Sequence, residues 1–179
     1  MADFDSIIRA VEPVLDAEGV SATGMDRLTR AAGVSTRTLY KHAGSRARLV
    51  AGVLDARGAR FLEGMPRDSV AGLFTGLERW TAAEGARGCF FLRCLGEAAP
   101  ADPALAERIR AHKAAVADRI AECVTADLGR PDALLTEQVL VLFEGATHAA
   151  VYRGEAAIAA ARHAAVALVG AAVGQGATD

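Results

Sequence analysis

Between Ala31 and Val50 the chain reads AAGVSTRTLYKHAGSRARLV. The segment holds four basic residues (Arg37, Lys41, Arg46, Arg48), His42, four hydroxyl side chains and Tyr40, with no acid. Such donors suit a polyanion, and no carboxylate in the run repels one. Arginine bonds guanine bidentately, and threonine meets a phosphate or a thymine methyl. Tyrosine and lysine are natural phosphate contacts, which position a protein without reading sequence.

The charge is local. Residues 27–60 carry eight basic side chains against Asp55 alone, giving +7, whereas the whole chain of 179 residues is at −2. Residues 1–26 stand at −5 and residues 61–179 at −4. A polyanion meets the patch rather than the average.

Other chemistry is sparse. No Ser-His-Asp grouping, Gly-rich phosphate loop or pair of catalytic carboxylates stands out, so the expectation is a protein that is not an enzyme and uses no cofactor. Cys89, Cys94 and Cys123 lack zinc-type spacing, and Cys89 and Cys94, five apart, do not share a helical face; no metal site is expected. Structural thiols are the simplest reading, with redox sensing left open. The start of the chain lacks a basic-then-apolar signal pattern and no apolar run is read as long enough for a membrane span, which gives a cytoplasmic expectation.

The elements that must position the basic run are helical. Apolar residues make up 52% of the chain, alanine dominates them, and no alternating strand-length segment competes. Phe4, Ile7, Ile8, Val11 and Leu15 share one face of a helix over 3–18, with Pro13 expected to kink it and Gly19 to stop it. Thr23 and Asp26 read as a capping box for a short helix to Ala32. Gly33 supplies a turn, Ser35 caps a second short helix to His42, and Ser45 caps a longer one to Glu63. After a boundary at Met65-Pro66, helices are expected over 67–84, 89–98, 103–128, 132–152 and 155–174.

Two short helices about a Gly turn, the second basic and rich in hydroxyls, describe a helix-turn-helix. Val34 and Leu39 face the core; Thr36, Arg37 and Lys41 face out, flanked by Tyr40 and His42. Arg46 and Arg48 stand in the first turn of the next helix, where the dipole favours acids. A phosphate at that helix end would resolve the conflict.

With these residues in place, 4–62 resembles the DNA-binding domain of TetR-family transcriptional regulators. The likeness rests on Gly19, Thr23, Ala32-Gly33-Val34-Ser35, Thr38-Leu39-Tyr40, His42, Ser45 and Leu49 at the family's offsets. The resemblance implies phosphate contacts from Thr23, Tyr40 and Arg46. It also implies Thr36, Arg37, Thr38 and Lys41 near the groove, with Ser35 and His42 beside them. Ala43 stands where the family has Phe, Arg37 where it has a small residue, and Ala47 where it has an acid.

The resemblance implies an all-α fold of about nine helices. It is divided here into a helix-turn-helix domain (1–45), a connecting helix (46–64) and an effector-binding and dimerisation domain (65–179). The helices over 132–152 and 155–174, rich in Ala and Gly, are expected to pair with their copies in a homodimer. Phe74, Leu77, Trp80, Phe90, Cys94, His112, Val116, Phe143, Thr147 and His148 are the candidates for an apolar pocket holding a small-molecule effector. For each, ordinary core packing is the simpler role. The resulting reading is a repressor released from a palindromic DNA operator by that effector. The alternative is a helical protein-interaction or ligand-sensing module that has lost specific DNA binding.

Overall fold

The computed structural model describes residues 3–97 and 102–176, and among them every regular element is an α-helix. They are α1 (Phe4–Glu18), α2 (Met25–Ala32), α3 (Thr36–Ala43), α4 (Arg46–Gly64), α5 (Val70–Glu84), α6 (Phe90–Glu97), α7 (Pro103–Leu128), α8 (Ala133–Arg153) and α9 (Glu155–Gly176). The all-α expectation holds. The expected break at 98–103 falls largely outside the described residues.

Local chemistry explains most of the ends. Asp3 caps α1 by accepting the Ser6 N–H at 2.7 Å, while Ser6 Oγ accepts the Asp3 N–H in return. α1 runs through Pro13 as one element and stops at Gly19. α5 begins at Val70 rather than near residue 67, because Ser69 Oγ takes the Gly72 N–H and Asp127 takes the Val70 N–H at 2.8 Å. Those two acceptors fix the first turn three residues later than periodicity alone suggests.

The chain forms two compact units. The first comprises Met1–Arg60 with Phe90–His112, and the second Phe61–Cys89 with Lys113–Asp179. In the first, Ile7, Val11, Leu15, Leu28, Leu39, Leu49 and Val53 are buried where α1 to α4 present their apolar faces. A buried ionic network accompanies that core. Arg57 donates to Glu12 at 2.9 Å, Arg60 to Glu12 at 2.7 Å, and Arg93 pairs with Asp16.

In the second unit Leu73, Phe74, Leu77, Val116, Ile120, Val124, Val139 and Phe143 form the core. Phe61 meets Trp80 edge-on at 5.0 Å, and Phe74 meets Phe143 at 5.7 Å. Buried Arg119 closes the end of α4 by donating to the carbonyls of Leu62 and Met65. α9 packs against α8 and α5.

One expectation from the sequence is corrected here. The stretch Glu155–Gln175 is long and apolar enough to cross a membrane by length and composition. Arg162, His163 and the many alanines obscure it, because alanine adds hydropathy without the look of an apolar run. This stretch lies mostly unburied within one chain.

Candidate nucleic-acid interface

The geometry of the basic run is set by two glycines and two serines. Gly33 ends α2 in the left-handed conformation, φ 64°, a state a side chain would strain. Ser35 follows in extended backbone, and its Oγ accepts the Thr38 N–H at 3.1 Å, starting α3. Gly44, φ 72°, ends α3 eight residues later, and Ser45 Oγ accepts the Arg48 N–H to start α4. The result is a short, rigidly bounded helix with capping atoms at its N-terminal end.

α3 is sharply two-sided. Leu39 and Ala43 are buried, while Ser35, Thr36, Arg37, Tyr40 and Lys41 are exposed and Thr38 and His42 half-buried. The exposed set thus brings a guanidinium, an ammonium, two hydroxyls and a phenol to one helix surface, with no acid on α3. Ala43, where the sequence suggested a missing core anchor, is 1% exposed, so the smaller residue is fully enclosed.

The Thr23–Asp26 capping box does not form. The N-cap of α2 is Gly24, with no side-chain cap bond, and the Thr23 hydroxyl donates to the Gly19 carbonyl at 2.6 Å. The carbonyl at the end of α1 outcompetes the N–H groups of α2 for that hydroxyl. Thr23 is 2% exposed, with its hydroxyl taken by the Gly19 carbonyl and its own carbonyl accepting from Arg46.

Arg46 is half-buried and donates to the Val20 and Thr23 carbonyls, bracing the α1–α2 turn. Arg48 lies over the Phe4 ring at 5.7 Å. The conflict of these arginines with the α4 dipole is therefore met partly inside the chain. Sequence reasoning missed both partners, since carbonyls and a ring 20 or more residues away leave no local signal.

The ten pocket candidates divide between the units. In the second, Phe74, Leu77, Val116 and Phe143 are core residues and Trp80 packs on them; the Thr147 hydroxyl bonds the Phe143 carbonyl at 2.9 Å, and His148 is exposed. In the first, Phe90 lies beneath Arg57 and Arg93, Cys94 is buried, and His112 stacks on Phe91 at 3.7 Å. Among the described residues no group of His, Cys, Asp and Glu is placed to hold a metal ion.

A short recognition-type helix, capped, basic and preceded by a Gly turn, defines a helix-turn-helix protein. Residues 7–53 match the family model of the bacterial regulatory proteins of the tetR family. A TetR-family transcriptional regulator from Streptomyces coelicolor superposes with a TM-score of 0.76 at 22% identity, covering 94% of this chain and 95% of its own. A second, from Streptomyces avermitilis, gives 0.76 at 23% identity with 96% and 98% covered. The regulator FadR of Bacillus subtilis, solved with stearoyl-CoA, gives 0.71 at 14% identity with 93% and 98% covered. No curated protein matches significantly. The chain has the TetR fold, an N-terminal helix-turn-helix domain followed by a helical domain, and the match over that N-terminal domain supports DNA-binding transcriptional regulation.

Proposed function

We propose that the chain is a cytoplasmic, homodimeric repressor that binds a palindromic DNA operator and leaves it when a small-molecule effector binds. The observation that carries this reading is the outward face of α3, where Thr36, Arg37, Tyr40 and Lys41 stand together without an acid. Each subunit inserts the N-terminal end of α3 into the major groove of one half-site. Arg37 and Thr36 meet base edges, while Ser35, Thr38, Tyr40, Lys41 and His42 hold phosphates. Thr23 and Arg46 act beside them by shaping the turn that faces the backbone. The helix-turn-helix domain is assigned to 1–45, the connecting helix to 46–64 and the sensing and dimerising domain to 65–179.

Dimerisation is supported by the surface of α8 and α9. Val141 is 68% exposed and Tyr152 77%, with Leu134, Val166 and Val173 also exposed. A groove of about 480 Å³ between the two helices is lined by small residues, among them Gly145, Ala149, Ala156, Ala160 and Ala164. Small residues admit a second helix pair at close range, and an apolar surface of this kind favours a partner. The half-sites then lie one helical turn apart or a multiple of it, about 34–36 Å.

The effector reading rests on the ten candidate residues in their two groups, and on the acyl-CoA bound by FadR in that protein. An effector that favours one arrangement of the two reading helices shifts the population away from the operator-bound form.

Selection of bound duplexes from random DNA tests this function. Enrichment of a palindrome is the expected result. Binding without sequence preference would point instead to a module that has lost operator recognition.

A further inference from the structure

Most of the basic patch is engaged inside the chain. Of the eight basic side chains between residues 27 and 60, five have partners. Arg27 pairs with Glu18 at 2.7 Å, and Arg57 and Arg60 hold Glu12. Arg46 donates to the Val20 and Thr23 carbonyls, and Arg48 lies over the Phe4 ring. Arg30, Arg37 and Lys41 are exposed, and among the described residues none of them has an ion pair, hydrogen bond or ring contact.

These three differ in their place. Arg30 stands in the last turn of α2, the helix that crosses the DNA backbone in a helix-turn-helix. Arg37 and Lys41 are each two residues from buried Leu39 on α3, which at about 100° per residue puts both on the side opposite the core. Arg37 lies about 6 Å nearer the N-terminal end, the part of a reading helix that meets base edges. Thr38, in the same first turn, is half-buried, and its hydroxyl is 2.8 Å from Ser35 Oγ. Arg37 is therefore the one cation at the reading end of α3.

A guanidinium is all donor, with five N–H groups in a planar fork and no acceptor. In the major groove only guanine sets two acceptors, N7 and O6, side by side. Adenine places a donor beside N7, thymine offers O4 beside a methyl, and cytosine offers a donor alone. We infer that Arg37 reads one guanine in each half-site through a bidentate bond to N7 and O6, an assignment that rests on the proposed operator binding. Lys41, one turn further along α3, meets a phosphate and carries no base preference.

Selection of duplexes from random DNA by full-length wild type, Arg37→Ala and Arg37→Gln tests the assignment. The wild-type palindrome is expected to carry a G·C pair at one symmetric position where Arg37→Ala loses its preference, the other positions being kept. Arg37→Gln is expected to move that preference to A·T, because an amide pairs with N7 and N6 of adenine. Replacing the G·C pair by A·T in one half-site should raise the wild-type Kd by about 5- to 150-fold, and that of Arg37→Ala by under about twofold. If Arg37→Ala weakens every duplex alike and keeps all preferences, Arg37 sits on a phosphate; the guanine assignment is overturned while operator binding stands. Loss of a preference for any other base overturns it equally. Where Arg37→Ala binds too weakly for selection, Arg37→Gln decides, and a preference that stays at guanine is the contrary result. A wild type that selects no palindrome removes the operator reading and the assignment together.

Discussion

Replacing Arg57 with methionine is expected to destabilise the protein far more than removing an exposed arginine. Glu12 and Asp16, one turn apart on α1, present two carboxylates to α4 in a region almost closed to water. Arg57 lies 2.9 Å from Glu12 and 3.8 Å from Asp16, with its side chain 7% exposed. At an effective dielectric of about 20, a charge pair at the shorter distance attracts by about 6 kcal/mol. Desolvation cancels much of that, and breaking one side of a buried pair typically costs about 3–5 kcal/mol. Arg60 still holds Glu12 and Arg93 still holds Asp16, which puts the loss near the lower end, about 3 kcal/mol. For a chain of this size that lowers Tm by about 6–12 °C, read by circular dichroism on heating. Arg67, paired with Glu122 at 2.8 Å on the surface, is the control, and Arg67→Met is expected to cost under about 1 kcal/mol. The Arg57→Met, Glu12→Leu double variant removes both charges and is expected to recover part of the loss. Equal and small effects of Arg57→Met and Arg67→Met would refute the buried-network reasoning.

Three other expectations address packing, titration and assembly. Gly58→Ala places a methyl 2.9 Å from His112 Nδ1 and 3.3 Å from the Phe91 ring; displacing that stack is expected to cost about 1–2 kcal/mol despite alanine's better helix propensity, read as a lower urea midpoint. The Asp3 carboxyl is held below its ordinary 3.8 by the Ser6 N–H and then the Ser6 hydroxyl, so its contribution is present above that value and lost as pH falls through the lower folded one. The Tm advantage over Asp3→Ala should therefore fade in acid, and an advantage that grew there would be contrary. Val141→Asp puts a charge on the α8 surface assigned to dimerisation and is expected to yield monomer in sedimentation, whereas Glu107→Lys on the exposed surface of α7 is not.

The helices were legible because their ends carry their own chemistry. Ser35, Ser45, Gly19 and Gly33 do in the structure what their types dictate locally, since a cap or a left-handed turn involves neighbours within four residues. The face of α3 was legible for the same reason, with Leu39 turned inward and Arg37 and Lys41 outward at helical spacing. Thr23 failed as a cap because two acceptable local bonds competed for one hydroxyl, and sequence does not rank them. Glu12 with Arg57, Asp16 with Arg93 and Arg119 with Leu62 join residues 45, 77 and 57 positions apart. Periodicity tells which face a residue occupies, but not which helix arrives opposite. The pocket candidates suffered most from this, because a core position and a ligand-lining position have the same apolar signature.

Titration of DNA binding against salt, for the wild-type protein and Lys41→Ala on the selected palindrome, tests the central claim most directly. If the outward face of α3 meets the duplex, log Kd rises linearly with log salt, and Lys41→Ala lowers the slope by about 0.9 for each phosphate that the lysine no longer neutralises. Weaker binding at low salt with the palindrome still preferred should accompany that change. An unchanged slope and affinity in Lys41→Ala would contradict the placement of α3 on DNA.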